Sequence, residues 1–188
     1  MTYFDTLLQR WRIHQAVKFI PRGSSILDIG TADGSLFRAI SRVNDSVGID
    51  TNLDRESLLA VPHVTFLEGM FPQILPSPCT FEIITMLATL EHIPPSELES
   101  LAANCAKYLR SGGRLIITVP SPFVDNILVV LQGLHLIHGM ATEQHYGFDV
   151  RQTPAIFLPH GFKLQAHRRF QLGLNNLFVF ERDSHPDL

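Results

Sequence analysis

Short apolar runs alternate along the chain with segments in which apolar residues recur every three or four positions. A run bounded by glycine, proline or serine is typical of a buried strand, and the wider spacing is typical of an amphipathic helix. The pattern predicts helices near residues 4–20, 34–40, 54–59, 94–109 and 153–158. It predicts strands near residues 26–29, 46–49, 64–67, 81–87, 115–119, 162–168 and 174–181.

Strands that alternate with helices indicate an α/β fold, in which helices cover both faces of a mostly parallel sheet. No repeat or low-complexity segment divides the chain, so we expect one domain over all 188 residues. Within it, we expect an N-terminal helix in residues 1–22 and an insertion at residues 121–148. Gly112 and Gly113 are expected to end the fourth helix.

Composition and charge argue against several classes of protein. A formal net charge of −3 provides no basic field for nucleic acid. Cys79 and Cys105 have no metal-ligand spacing and make no disulfide framework, so we expect no metal and a cytoplasmic location. The start of the chain has no signal-peptide pattern. The most apolar stretch, residues 123–140, is interrupted by polar residues such as Asp125 and Gln132, so we expect no membrane span.

The first predicted strand leads into a glycine-containing turn within residues 26–35, ILDIGTADGS. Ligands of open α/β sheets bind beyond the carboxyl ends of the strands, where this turn lies. Glycines there permit positive φ and remove Cβ atoms that would block a ligand. Asp50 ends the second strand about 20 residues further on, the distance at which an acidic residue binds ribose hydroxyls in nucleotide-binding folds. The turn and Asp50 together predict a site for a nucleoside cofactor.

The acidic residues of the turn favour one kind of cofactor. Asp33 lies where the pyrophosphate of a dinucleotide would approach, and Asp28 adds a second carboxylate. These charges repel a diphosphate and attract the sulfonium and ammonium groups of S-adenosylmethionine, which favours that cofactor over NAD. Ala32 replaces a middle glycine of the turn, a change that is tolerable if its φ is negative.

Five segments resemble, in order, the motifs of the class I S-adenosylmethionine-dependent methyltransferases, and most closely the small-molecule enzymes of the type 11 and UbiE/UbiG-like kind. The resemblance covers roughly residues 24–181. It implies a Rossmann-like, doubly wound, mostly parallel sheet of seven strands with the last strand antiparallel. The segments are Asp28-x-Gly30-x-Ala32-x-Gly34, Gly48-Ile49-Asp50, the strand with its LEHI continuation at residues 81–93, the LxxGG turn and strand at residues 109–120, and His160-Gly161-Phe162.

The resemblance also implies which residues hold S-adenosylmethionine. The glycine turn and the residues after the fourth strand border its methionine part, Asp50 binds the ribose, and the segment after the third strand packs on adenine. The family places an aspartate near the adenine amine, whereas this chain has Met70, which cannot accept that hydrogen bond. The implied cofactor residues are Asp28, Gly30, Thr31, Ala32, Gly34, Asp50, Thr51, Gly69, Met70, Phe71, Leu87 and Ala88.

Two histidines are candidates for a catalytic base. His92 follows the fourth strand, and the ordinary pKa of histidine suits a base near neutral pH. The alternative is that His92 only orients the loop before Pro94. His145 lies in a polar loop where related enzymes place a histidine over the acceptor site, and its alternative is an exposed loop residue.

We expect a small-molecule acceptor, with oxygen favoured over nitrogen because LEHI-type sequences resemble small-molecule O-methyltransferases. The apolar segment at residues 123–137 has three interpretations: a helix buried under the N-terminal helix, a lid over an apolar acceptor pocket, or a homodimer surface. A methyltransferase-like protein that binds without catalysis is the main rival interpretation, and a nucleotide-dependent oxidoreductase is a more distant one.

Overall fold

The computed structural model describes residues 3–59, 61, 63–76, 79–121 and 148–184. Its α-helices are α1 (Tyr3–Val17), α2 (Ser35–Ala39), α3 (Arg55–Leu58), α4 (Leu98–Tyr108) and α5 (Thr153–Phe157). Its strands are β1 (Ser25–Ile29), β2 (Asn44–Asp50), β3 (Val64–Glu68), β4 (Phe81–Leu87), β5 (Leu109–Pro120), β6 (Phe162–Phe170) and β7 (Asn175–Arg182). Short 3₁₀ turns occur at Leu90–His92, Pro95–Glu97, Val150–Gln152 and Leu158–His160.

The strands form one sheet in the order β3-β2-β1-β4-β5-β7-β6. The five strands from β3 to β5 pair in parallel, and β7 runs antiparallel between β5 and β6. The chain proceeds from β1 outward to β3 and then returns to the other side of β1 as β4. This change of direction creates the crevice in which open α/β sheets bind ligands. The predicted seven-stranded sheet, mostly parallel with an antiparallel last strand, is confirmed.

Helices cover both faces of the sheet because successive strand residues are apolar on both sides. Ile26 and Leu27, neighbours in β1, belong to different core clusters. On one face α4 contributes Cys105 and α5 contributes Phe157, both fully buried. On the other face α1 and α2 pack through residues such as Ile13. The prediction of helices on both faces is therefore confirmed.

One predicted helix end is wrong. Gly112 and Gly113 do not close α4, because β5 begins directly after that helix. Leu109 already has an extended conformation, with φ −96° and ψ 134°, and pairs with Phe81. The two glycines lie in an irregular part of β5, where a Cβ at Gly113 would be 2.9 Å from the Glu82 carbonyl oxygen. Gly113 thus permits β5 to approach β4, a tertiary requirement that resembles a helix stop in the sequence.

The remaining boundaries differ from prediction by a few residues. β2 begins at Asn44, whose polar side chain gives no strand signal although its backbone pairs with β1. β6 continues to Phe170, through the basic residues Arg168 and Arg169. None of the helices in the described part of the chain has the length and apolarity that a membrane crossing requires.

Candidate functional site

A cleft of about 1130 Å³ opens beyond the carboxyl ends of the parallel strands. Its walls include the segments that follow β1, β2, β3 and β4, together with parts of α1 and α4. The cleft therefore lies where the strand order reverses, as expected for a ligand site of this architecture. All predicted cofactor residues except Gly34 line it: Asp28, Gly30, Thr31, Ala32, Asp50, Thr51, Gly69, Met70, Phe71, Leu87 and Ala88.

The turn after β1 is held in place by β2. The N–H group of Gly30 donates to the Ile49 carbonyl oxygen at 2.8 Å. The Asp50 carboxylate accepts from the N–H group of Ala32 at 2.9 Å and from that of Asn52 at 2.9 Å. Each Asp50 oxygen keeps further acceptor capacity, which ribose hydroxyls can use. Asp50 thus fixes the turn and presents acceptors to the cleft.

Gly30 and Gly34 make room for the protein's own side chains. A Cβ at Gly30 would collide with Thr89 Oγ1 and lie 2.8 Å from Thr89 Cγ2. A Cβ at Gly34 would lie 2.8 Å from Leu58 Cδ2 and 3.3 Å from the Phe66 ring. Both glycines also have positive φ, +82° and +71°. The expectation that glycines here leave space for a ligand is therefore incomplete, because internal packing and backbone conformation already require them.

Two alanines line the cleft in the left-handed region of φ. Ala32 has φ +46°, so the condition of a negative φ, under which alanine would be tolerated easily, is not met. Ala88 has φ +59°, and its N–H group donates to both the carbonyl oxygen and Oγ1 of Thr118, at 2.9 and 3.1 Å. A left-handed residue with a Cβ costs roughly 1 kcal/mol or more. Such strain is found in functional sites when neighbouring contacts enforce it, as Asp50 and Thr118 do here.

Asp28 lies in the wall of the cleft and is 3% exposed. Burial, with a smaller contribution from the nearby Asp50 carboxylate, raises its pKa to about 6. Thr85 Oγ1 opposes this shift by donating to Asp28 Oδ1 at 2.6 Å. Asp28 is therefore mostly ionised at pH 7, and protein groups replace most of the water that would surround its carboxylate.

Asp33 has a different environment from the one predicted. Its carboxylate forms an ion pair with Arg38 at 2.8 Å and accepts from the Ser35 N–H group at 3.1 Å. Arg38 compensates the Asp33 charge, so the argument that Asp28 and Asp33 jointly attract a cation needs correction. Asp28 and Asp50 carry the negative charge that faces the cleft from this side. The ion pair was not anticipated because it depends on how α2 packs beside the turn.

The two large apolar side chains of the segment after β3 both line the cleft but differ in their contacts. The Gly69 N–H group donates to the Asp50 carbonyl oxygen at 2.8 Å, which joins this segment to β2. The Phe71 ring packs edge-on against Tyr108, with centroids 5.6 Å apart. Met70 is 57% exposed and lines the cleft. Met70 thus offers the larger free apolar surface to a ligand.

His92 lines the cleft at the end of the 3₁₀ turn that follows β4. Its backbone N–H group donates to the Thr89 carbonyl oxygen at 3.1 Å, which fixes the turn. His145 and most of the insertion at residues 121–148 lie outside the described residues. Both histidines stay candidates for the base.

Several cleft residues were missed by the sequence analysis. Thr85 and Thr89 were read as parts of a strand and a motif, without their contacts to Asp28 and Gly30. Polar residues from outside the recognised motifs also line the cleft, among them Arg12 of α1, Gln73 after β3 and Asn104 of α4. Helical periodicity identifies the buried face of a helix but does not show which polar residues border a cleft.

The residues present fit S-adenosylmethionine. Asp50 offers acceptors for ribose hydroxyls, and Met70 offers apolar surface for adenine. Thr31 Oγ1 is buried beside the cleft, and its hydrogen bond with the Asp28 carboxyl helps to lower the pKa of that group. No group of three or more histidine, cysteine, aspartate or glutamate residues in the described ranges could hold a metal ion.

Comparisons with known proteins agree with this site. A family model described as a methyltransferase domain matches residues 3–167. No curated protein matches the chain significantly. The chain is similar to the structure of the pyocyanin biosynthetic protein PhzM, with 18% identity, a TM-score of 0.66, and coverage of 91% of this chain and 54% of that one.

Two further solved structures are similar. Magnesium protoporphyrin IX methyltransferase (ChlM) from Synechocystis PCC 6803, with bound SAH, has 17% identity, a TM-score of 0.64, and coverage of 93% and 83%. An O-methyltransferase family protein from Burkholderia thailandensis has 16% identity, a TM-score of 0.69, and coverage of 97% and 57%. The chain thus spans little more than half the length of the PhzM and Burkholderia proteins, and these similarities show the fold.

The family match covers most of the chain, and the sheet order and the cleft agree with it. The chain therefore belongs to the methyltransferase domain family and is a class I S-adenosylmethionine-dependent methyltransferase.

Proposed function

We propose that this methyltransferase transfers the methyl group to an oxygen atom of a small-molecule acceptor, with His92 as the base. The observation that carries the proposal is the position of His92, directly after β4 and in the wall of the cleft that Ala88 and the glycine turn also line. The LEHI resemblance supports oxygen, as does the O-methyltransferase name of the Burkholderia protein.

When bound, S-adenosylmethionine supplies an activated methyl group on a sulfonium, whose leaving group is already good. Positioning therefore does much of the catalytic work. In this proposal Asp50 binds the ribose hydroxyls, and Leu87 and Ala88 border the methionine part. Gly69, Met70 and Phe71 border adenine, and Asp28 with the turn backbone holds the polar end.

An acceptor hydroxyl loses a proton as it gains a methyl group. In this proposal the neutral imidazole of His92 accepts that proton near neutral pH. The hydrogen bond from the His92 backbone to Thr89 limits the movement of the turn that carries it. His145 is the second candidate for the same role, and its own substitution would be tested in parallel.

The experiment supplies S-adenosylmethionine with a labelled methyl group to matched panels of hydroxylated and aminated small molecules. Products are identified by mass spectrometry. His92→Gln should retain cofactor affinity while kcat falls by about 10²–10⁴-fold, because the proton acceptor is lost. The matched control is His14→Gln, at an exposed position of α1 that does not line this cleft, and its kcat should equal that of the unaltered protein.

Three results would count against the proposal. Methylation of nitrogen acceptors alone would exclude oxygen transfer, and an unchanged kcat in His92→Gln would exclude His92 as the base. Cofactor binding without transfer to any acceptor would favour the non-catalytic alternative. That alternative draws on Ala32 and Met70, which depart from the family pattern.

A further inference from the structure

A purine bound in the cleft needs a hydrogen-bond acceptor if the protein is to recognise it as adenine. The exocyclic amine of adenine is a hydrogen-bond donor, and selecting adenine over a purine without that amine requires an acceptor. Met70 has only a weakly accepting thioether and is the most exposed large apolar side chain of the segment after β3. We infer that Gln73 supplies the acceptor through its Oε1 atom and thereby selects adenine as the base of the cofactor.

The position of Gln73 follows from the strand order. The ends of β4, β1, β2 and β3 succeed one another along the cleft, and the proposed base His92 lies at the β4 side. With the ribose at Asp50 on β2, the purine reaches toward the segment after β3. Gln73 belongs to that segment and lines the cleft.

The polarity of the Gln73 amide is fixed by its neighbours. One end of the amide lies 3.1 Å from the carbonyl oxygens of both Met70 and Phe71. Carbonyl oxygens only accept hydrogen bonds, so Nε2 occupies this end and donates to them. Oε1 therefore lies at the other end, which faces hydrogen-bond donors, and a carbonyl oxygen has a second lone pair with which to accept from a ligand. A fixed acceptor favours an amine and disfavours a purine that lacks one.

Asn104 provides a matched comparison on α4. It also carries an amide and lines the cleft, and its Nδ2 donates to the Ser100 carbonyl oxygen at 2.8 Å. Asn104 thus also carries an amide oxygen, but it lies on α4 rather than on the segment joined to β2. Gln73 is favoured because the Gly69–Asp50 hydrogen bond ties its segment to the proposed ribose site.

The test measures dissociation constants by isothermal titration for two ligands. One is S-adenosylhomocysteine, and the other is its 6-deamino analogue, which carries hydrogen in place of the exocyclic amine. The variants are Gln73→Met, which removes the amide at similar length, and Asn104→Ala. Melting temperatures without ligand establish that each variant is folded.

We expect Gln73→Met to weaken S-adenosylhomocysteine binding about fivefold and to change binding of the deamino analogue less than twofold. This corresponds to one hydrogen bond of ordinary net strength. Asn104→Ala should affect both ligands equally. Loosening of the segment by the lost Nε2 bonds would weaken both ligands alike, so the difference between the ligands isolates the contact with the amine.

Equal losses for both ligands in Gln73→Met, or an amine-dependent loss in Asn104→Ala, would overturn the assignment. The inference rests on the cofactor placement in the proposed function and does not depend on the acceptor. If the unaltered protein bound neither ligand, both the placement and this inference would fail. Amine-dependent binding without methylation of any oxygen acceptor would overturn the proposed function while supporting Gln73.

Discussion

Residues 30–33 of the glycine turn and residues 69–73 after β3 line the same cleft, but their backbones are held in different ways. Gly30 bonds to Ile49, and Ala32 bonds to Asp50, while Thr89 fills the space beside Gly30. The second segment is joined to β2 by the Gly69 N–H group and to α4 by the Phe71 ring. Its other large side chain, Met70, is mostly exposed.

This difference separates two tasks of a cofactor site. Backbone geometry at the turn depends on glycines, positive φ and contacts with β2 and Thr89, so we expect substitutions there to reduce stability. Side chains of the segment after β3 make fewer internal contacts, so we expect substitutions there to alter ligand preference at little cost in stability. The largest effects should therefore occur at the turn.

Gly30→Ala should produce the largest loss, about 3 kcal/mol of unfolding free energy measured by urea denaturation. The estimate combines left-handed strain with overpacking against Thr89. The matched control is Gly173→Ala, where φ is +85° but no atom lies within 4 Å of the added Cβ. That control should lose only the strain component, roughly 1 kcal/mol.

A double variant tests the packing component directly. Thr89→Ala alone should cost about 1 kcal/mol, because Thr89 Oγ1 donates to the Ile29 carbonyl oxygen at 3.2 Å. Gly30→Ala combined with Thr89→Ala should be less destabilised than the sum of the single variants, since the colliding atoms are gone. If the losses in unfolding free energy of the two single variants simply add, the contact with Thr89 is not the reason that residue 30 must be glycine.

Asp28 should give the next largest effect, which depends on pH. Its pKa is raised from 3.8 to about 6, so the folded protein binds this proton more tightly than the unfolded chain. The contribution of Asp28 to the unfolding free energy therefore falls as pH rises from about 4 to 6. Above pH 6 the folded protein bears the full cost of keeping this buried carboxylate ionised. The size is at most about 3 kcal/mol.

Asp28→Asn removes this titration. The stability of the unaltered protein relative to Asp28→Asn should therefore decrease from pH 4.5 to pH 7.5, as measured by urea midpoints. Thr85→Val, which removes the hydrogen bond to the carboxylate, should raise the Asp28 pKa further. A difference between Asp28→Asn and the unaltered protein that is the same at both pH values would contradict a raised pKa.

The two regions should also differ in cofactor affinity. Asp50→Asn should weaken S-adenosylhomocysteine binding about 10- to 30-fold, because a charged acceptor for both ribose and turn is lost. Met70→Ala should weaken it less than threefold, because Met70 is half-exposed without ligand and only its apolar contact is removed. Isothermal titration of both variants provides the check. A larger effect from Met70 would reverse the comparison between the regions.

Much of the fold could be predicted because strands buried on both faces of the sheet, and helices buried on one side, have characteristic patterns of apolar residues. β1 and β4 consist mainly of apolar residues and are buried along most of their length, and α4 is amphipathic with Cys105 on its buried side. The turn and Asp50 were found because strand ends and spacing are local properties. The turn after β1 and Asp50 at the end of β2 border the same cleft because parallel strands end at the same edge of the sheet.

What could not be predicted depends on contacts between distant residues. The pairing of Asp33 with Arg38 and the bond from Thr85 to Asp28 arise only when helix and strands pack. Gly113 has the sequence appearance of a helix stop, but its requirement comes from close approach to β4. The φ of Ala32 is set by the bond to Asp50, which no local pattern reveals.

Ala32→Gly should have the smallest effect and tests whether the turn is strained. Glycine removes roughly 1 kcal/mol of left-handed strain, and its greater freedom in the unfolded chain offsets about 0.5–1 kcal/mol. The variant should therefore be within about 0.5 kcal/mol of the unaltered protein in urea denaturation. Ala39→Gly, at an exposed position of α2, should lose about 1 kcal/mol because its helical φ gains nothing from glycine. An equal loss in both variants would mean that Ala32 is not held in the left-handed region. A smaller loss at Ala32 would mean that the Asp50 hydrogen bond holds a strained alanine where the family has glycine.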